Sequence, residues 1–154
     1  AEDILINNIA WLVRRFPVFV VPGDGRYRLR PIFVEDMAEL AVNAGRETEN
    51  TVVDAIGPEM FTFDELLRLI AAKFGRRVAL VHLPPGLALL LARLISLLVG
   101  DVMLTREEVD GLLADLLASS GPSAGPTRLS EWLAATAGTV GVHYASEVGR
   151  HFRQ

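Results

Sequence analysis

The residues able to do chemistry are few, and their spacing excludes more than it suggests. Three histidines, His82, His143 and His151, are scattered along the chain. No two stand one helical turn apart around a glutamate, the arrangement that places two zinc ligands on one helix face. There is no cysteine, so disulfides and thiolate metal sites are excluded. No serine sits in a G-x-S-x-G elbow. The lone lysine, Lys73, does not follow a glycine, so a phosphate-binding P-loop is absent. Gly23-Asp24-Gly25 is the nearest approach to a dinucleotide turn, but the third glycine position holds Arg28. The element that follows reads as a strand rather than a helix, so the phosphate-cradling context fails and a tight turn is the better reading. Glu107, Glu108 and Asp110 read as the solvated first turn of a helix, and nothing singles out a carboxylate pair for glycoside hydrolysis. Arg28 and Arg30 remain; on an extended run they share one face.

Those arginines open the stretch RLRPIFVEDMAELAV, Arg28 to Val42. Leu29 to Val34 is apolar and β-branched and predicts a strand, kept short or at an edge because Pro31 has no N–H to donate. Asp36 is the expected N-cap of the helix that follows. Met37, Leu40 and Ala41 give that helix one stripe expected to be buried.

Upstream, Ala1 to Arg15 predicts a helix capped by Asp3 and stopped by Pro17, with Asn7 and Asn8 in its first turns. Val18 to Val21 predicts a strand closed by Pro22-Gly23-Asp24-Gly25. Downstream, Thr51 to Ile56 predicts another strand, broken by Gly57-Pro58. Thr62-Phe63-Asp64-Glu65 is a capping box, opening a helix with Phe63, Leu66, Leu67, Ile70 and Phe74 as its stripe and Gly75 as its stop. Arg77 to Leu83 predicts a strand closed by Pro84-Pro85. Gly86 to Val99 is the most apolar run; it falls short of the ~20 residues a bilayer span needs and predicts a buried helix. An interfacial helix is the other reading of that run, and its narrow polar face makes membrane contact the weaker expectation. Thr105 and Glu108 form a second capping box, with Val109, Leu112, Leu113, Leu116 and Leu117 as the stripe. Ser119 to Pro126 reads as a flexible, exposed loop. Leu129, Trp132, Leu133, Val140, Tyr144, Val148 and Phe152 predict two short helices folding back on the core.

The 154 residues suffice for one domain with a real core, and 51% apolar composition excludes a disordered chain. A net charge of −4 argues against a nucleic-acid partner. The acidic Glu2 and Asp3 do not look like a secretory leader, and a cytoplasmic location is the default expectation.

With these elements in view, PIFVEDMAELAV resembles the P-[VI]-x-V-x-D-[VLM]-A segment of extended and atypical short-chain dehydrogenase/reductases, the NAD(P)-dependent epimerase/dehydratase and NmrA-like group. The order strand, G-P-E-x-[FY]-T-[FY]-x-E-L, helix ending in glycine, strand, L-P is also similar, so the likeness runs to about Pro85. It implies an α+β fold, the C-terminal, substrate-binding part of a Rossmann-type enzyme, with a few short strands and several helices. Residues 1–154 would form one unit, family-like over 1–85 and helical over 86–154. It further implies that the chain starts partway through a longer protein, whose upstream Rossmann half carries NAD or NADP and the catalytic Tyr-x-x-x-Lys. Neither Tyr27 nor Tyr144 stands in that relation to Lys73, so the chain is expected to be inactive alone and to hold no cofactor. By the resemblance, Asn7, Asn8, Arg28 and Arg30 face a small-molecule substrate. The arginine of sugar-nucleotide epimerases aligns with Leu29, which argues against a nucleotide sugar, and ordinary surface charge is the other reading of both arginines. A non-catalytic regulator or assembly subunit, like the short-chain-dehydrogenase-like accessory subunit of respiratory complex I, is the alternative. A surface bared by separation from the upstream half is expected to self-associate.

Overall fold

The computed structural model describes residues 4–99 and 104–146. The protein is mixed α+β, with six helices and four short strands among the described residues. Helix α1 (Ile4–Arg15) is followed by β1 (Val18–Pro22), β2 (Arg28–Leu29) and α2 (Val34–Ala44). Then come β3 (Phe61–Thr62), α3 (Phe63–Lys73), β4 (Ala79–Leu83), α4 (Pro85–Val99), α5 (Arg106–Leu113) and α6 (Leu129–Ala135). Strands β1 and β4 pair in parallel, from Val18 opposite Ala79 to Pro22 opposite Leu83. Parallel partners need a long crossover, and here it contains β2, α2, β3 and α3. Strands β2 and β3 form a small antiparallel pair.

The core forms where α1 meets α3. Ile6, Ile9, Ala10 and Val13 of α1 pack with Phe63, Leu66, Leu67, Ile70 and Ala71 of α3, joined by Val21, Tyr27, Leu29, Leu112, Leu133 and Val140. Local chemistry fixes the ends of α3. The Thr62 hydroxyl accepts from the Glu65 amide at 3.2 Å, and the Glu65 carboxylate accepts from the Thr62 amide at 2.8 Å. The Thr62 amide, first among the causes, holds the Glu65 carboxyl below its ordinary range. At the other end Gly75 takes φ +64°. Its amide bonds to the Ala72 carbonyl and that of Arg76 to Ala71, the double closure that a left-handed residue permits. Thr105 and Glu108 cap α5 in the same reciprocal way.

Several expected features are not found. The Asp3 cap and much of the second C-terminal helix lie outside the described residues; α6 is present, and Val140 reaches the core from the turns that follow it. The Leu29–Val34 strand is cut to Arg28–Leu29: Pro31 donates nothing, and the Arg30 amide is taken by the Leu117 carbonyl at 2.9 Å. Asp36 is not an N-cap. Phe33 occupies that position without a side-chain bond, and Asp36 sits inside the first turn with its carboxylate on Thr127. No residue of α2 is buried; Met37 and Ala41 are exposed and Leu40 half-buried. Thr51–Ile56 joins no sheet, because no strand among the described residues lies beside it.

Helix α4 is not buried either. Ala88 is covered, while Leu87, Leu90, Leu91, Leu94 and Ile95 face water. A helix is about 10 Å across and two paired strands are only about 5 Å apart, so the β1–β4 pair cannot cover it. Val109 and Leu112 of α5 are buried as expected, but Leu113, Leu116 and Leu117 are exposed because the helix stops at Leu113. The Ser119–Pro126 loop is not loose: Arg30, Asp54 and Asp36 hold it and the residue beyond it. No described helix is long and apolar enough to cross a membrane.

Ile70 is fully buried at the α1–α3 contact. Ile70→Ala is expected to destabilise the protein by about 2–5 kcal/mol in urea unfolding, and a cost within the error of the midpoint would contradict this core assignment.

Candidate functional site

Parallel pairing puts the carboxyl ends of β1 and β4 at one edge, and a group of titratable side chains, Asp24, Asp64, Arg68 and His82, lies there. The Pro22–Gly25 turn leaves β1 and is tied to β4 by the Gly23 amide bonding to the Leu83 carbonyl at 2.8 Å. His82 projects from β4 onto Asp64 of α3, with Nε2 2.9 Å from Oδ1. The other carboxylate oxygen accepts from Arg68 at 3.1 Å, and the Asp64 amide donates to the Gly25 carbonyl at 3.2 Å. Gly25 has φ +69°, and a Cβ there would collide with the Asp64 carboxylate and stand 3.0 Å from His82 Nε2. Glycine is therefore the residue that lets the turn close over the pair. Asp24 bonds back to the Arg26 amide at 3.0 Å, which holds the turn from within.

Tyr27 lies under this edge. Its ring stacks on Phe63 at 5.2 Å, and its hydroxyl is buried with no hydrogen-bond partner among the described residues. Burial, then the negative charges of Asp64 and Asp24, push the phenol above its ordinary value of 10.0. A carboxylate that fixes one imidazole nitrogen has the form of an acid–base element. The His82 side chain is 36% exposed, so solvent reaches it. No group of His, Asp and Glu side chains among the described residues has the geometry to hold a metal ion.

The four residues singled out by resemblance lie elsewhere, in two pairs. Asn7 is 3% exposed; its amide donates to the His143 carbonyl at 3.0 Å and its oxygen accepts from the Gly141 amide at 2.9 Å. Asn8 exchanges two bonds of 2.9 Å with the Ala145 backbone. Both asparagines thus act on the tail as an adjacent strand would.

Arg28 and Arg30 both reach the 115–121 segment. Arg28 clasps Asp115 with its amide at 2.6 Å and its guanidinium at 3.0 and 2.9 Å. Asp115 ends α5 at φ +56°, strained for a residue other than glycine. The Arg28 amide, and then its side chain, hold the Asp115 carboxyl below its ordinary range. Arg30 donates to the carbonyls of Gly57 at 2.8 Å, Ser119 at 3.0 Å and Gly121 at 2.7 Å.

Sequence reasoning placed His82 at a strand end but missed Asp64 as its partner. The two are separated by 18 positions and belong to different elements, a spacing with no motif. The one available signal was an acidic residue inside a capping box, and that reads first as a helix-dipole effect.

Tyr27→Phe removes a buried hydroxyl that has no partner, so it is expected to leave stability unchanged or raise it by about 1 kcal/mol in urea unfolding. The raised phenol pKa keeps the folded state neutral while the unfolded chain ionises. Native stability is therefore expected to fall as pH rises beyond 10, and Tyr27→Phe to remove that component. Arg30→Met strips three carbonyls of their donor and is expected to cost about 2 kcal/mol; a neutral result would show that water replaces the guanidinium.

No protein-family model matches the chain, and no curated protein matches it.

Proposed function

We propose that this chain is the substrate-binding, C-terminal portion of an NAD(P)-dependent epimerase/dehydratase-like oxidoreductase. The cofactor loop and the catalytic tyrosine–lysine pair reside on a preceding Rossmann half, in a cytoplasmic protein. The observation that carries this reading is the set of apolar faces left in water. Val34 and Met37 of α2, Val52 and Val53, and Leu87, Leu90 and Leu94 of α4 are all exposed. Exposed apolar residues that gather into a contiguous patch mark interaction surfaces. The PIFVEDMAELAV likeness supports the same reading, and the parallel β1–β4 pair joined across helices is compatible with it.

The Gly23–Gly25 turn supports placing the cofactor elsewhere. It leads into β2 rather than a helix, and Asp24 and Asp64 bring negative charge where a pyrophosphate needs backbone amides and cations. The chain's part is to shape the cleft wall, with Asn7, Asn8, Arg28 and Arg30 on the substrate side. Calorimetric titration of NAD(H) and NADP(H) into the chain is expected to show no saturable binding; micromolar affinity would overturn the assignment.

A second reading is favoured by the bonds those four residues make. Asn7, Asn8 and Arg30 are engaged with backbone groups of their own chain and Arg28 with Asp115. Such residues suit a rigid regulator or assembly subunit that holds NAD(P) without turning it over. Dinucleotide binding without hydride transfer, by the protein expressed from its complete reading frame, would select this reading over the enzyme.

A further inference from the structure

The carboxyl edge of β1 and β4 holds a pair that none of the four expected substrate contacts uses. Asn7, Asn8, Arg28 and Arg30 bond to groups of their own chain. His82 is placed differently. Its Nε2 lies 2.9 Å from Asp64 Oδ1, and its side chain is 36% exposed. Ligands of open α/β sheets bind beyond the carboxyl ends of the strands, and His82 stands one residue before the end of β4.

The chemistry of the pair decides what it can hold. An ionised carboxylate only accepts hydrogen bonds, so in the neutral ring the proton sits on Nε2 and points at Asp64. Nδ1 is then a lone-pair acceptor. Asp64 is fixed in its turn: its second oxygen accepts from Arg68 at 3.1 Å, and its side chain is 16% exposed. Gly25 closes over both partners, since a Cβ there would collide with the Asp64 carboxylate and stand 3.0 Å from His82 Nε2. The turn carrying Gly25 is anchored by the Gly23 amide on the Leu83 carbonyl and by Asp24 on the Arg26 amide. Leu113 lies against Gly23 of the same turn and is 40% exposed, an apolar neighbour for a carbon skeleton. Asp24 and Asp64 disfavour an anion here, and the Arg68 guanidinium is already engaged by Asp64.

We propose that His82, oriented by Asp64, is the binding site for a small molecule that presents a hydrogen-bond donor, a hydroxyl or a protonated amine, to Nδ1. Asp64 is a positioning residue that selects the tautomer. The site is built from this chain and goes beyond the reading given under Proposed function, on which it does not depend.

The test is proton–nitrogen correlation NMR of the histidine rings in the 154-residue chain at neutral pH, with His82→Gln to assign the signals. The probes are methyl glucoside, ethylammonium chloride and sodium sulfate. Without a probe, His82 is expected to be protonated at Nε2 alone, and Asp64→Asn to admit the other tautomer. Methyl glucoside or ethylammonium is expected to move the His82 Nδ1 signal saturably, and which of them does so tells alcohol from amine. Sulfate is expected to leave it in place. Asp64→Asn is expected to weaken the response by about tenfold, the loss of one charge-assisted hydrogen bond, with the α3 amide signals unchanged; a merely structural pair would show no such response. A proton on Nδ1, a response to sulfate alone, a shift shared equally by His143, or no response to any probe would each overturn the site. None of these outcomes bears on NAD(P)(H) titration, so the site and the functional reading fail separately.

Discussion

Every peptide group taken out of water needs a hydrogen-bond partner, and this protein meets that demand with very little sheet. Two two-stranded sheets serve the strands; long connections lie between them and the helices. Side chains take over the task. Asn7 and Asn8 serve the 141–145 backbone, and Arg30 serves three carbonyls. Glu59 accepts from the Ser130 amide at 2.9 Å and so caps α6 from across the chain, because that helix has no cap of its own. Removing any of these side chains orphans backbone groups at a distance in sequence. The loops are therefore as determined as the helices.

That division explains what could be read from the sequence. Features set by neighbours in the chain were legible: both capping boxes, the glycine stop after α3, the β1 turn and the α3 stripe rest on short-range chemistry. Features set by distant partners were not. Asp36 was read as a cap because its position satisfied the local rule, whereas its carboxylate is claimed by Thr127 from far along the chain. Asp64 and His82 carry no motif, so their pairing appears only once β4 lies beside α3. Asn7, Asn8, Arg28 and Arg30 were expected to face a substrate, but the partners they have here, backbone groups for Asn7, Asn8 and Arg30 and the Asp115 carboxylate for Arg28, leave no mark in a sequence.

The mismatched predictions share a direction. Thr51–Ile56, the α2 stripe and α4 all have the composition of buried elements, yet Val52, Val53, Met37, Leu87, Leu90 and Leu94 lie in water. Hydrophobic periodicity reports what a segment is built to cover, without saying whether the cover is in the same polypeptide. The mixed α+β character stands on the elements themselves. A missing partner surface, as the proposed function supposes, would give the bare faces one common explanation.

The asparagine clasp has a geometric consequence. It joins α1 to residues more than 130 positions later, a closure whose entropic cost grows only logarithmically with the span. Segments near the two ends of the sequence are thereby held side by side. Polypeptide fused ahead of α1 and polypeptide fused beyond residue 146 would depart from the same region of the surface, so a partner domain on one end could be tethered by the other without a long linker.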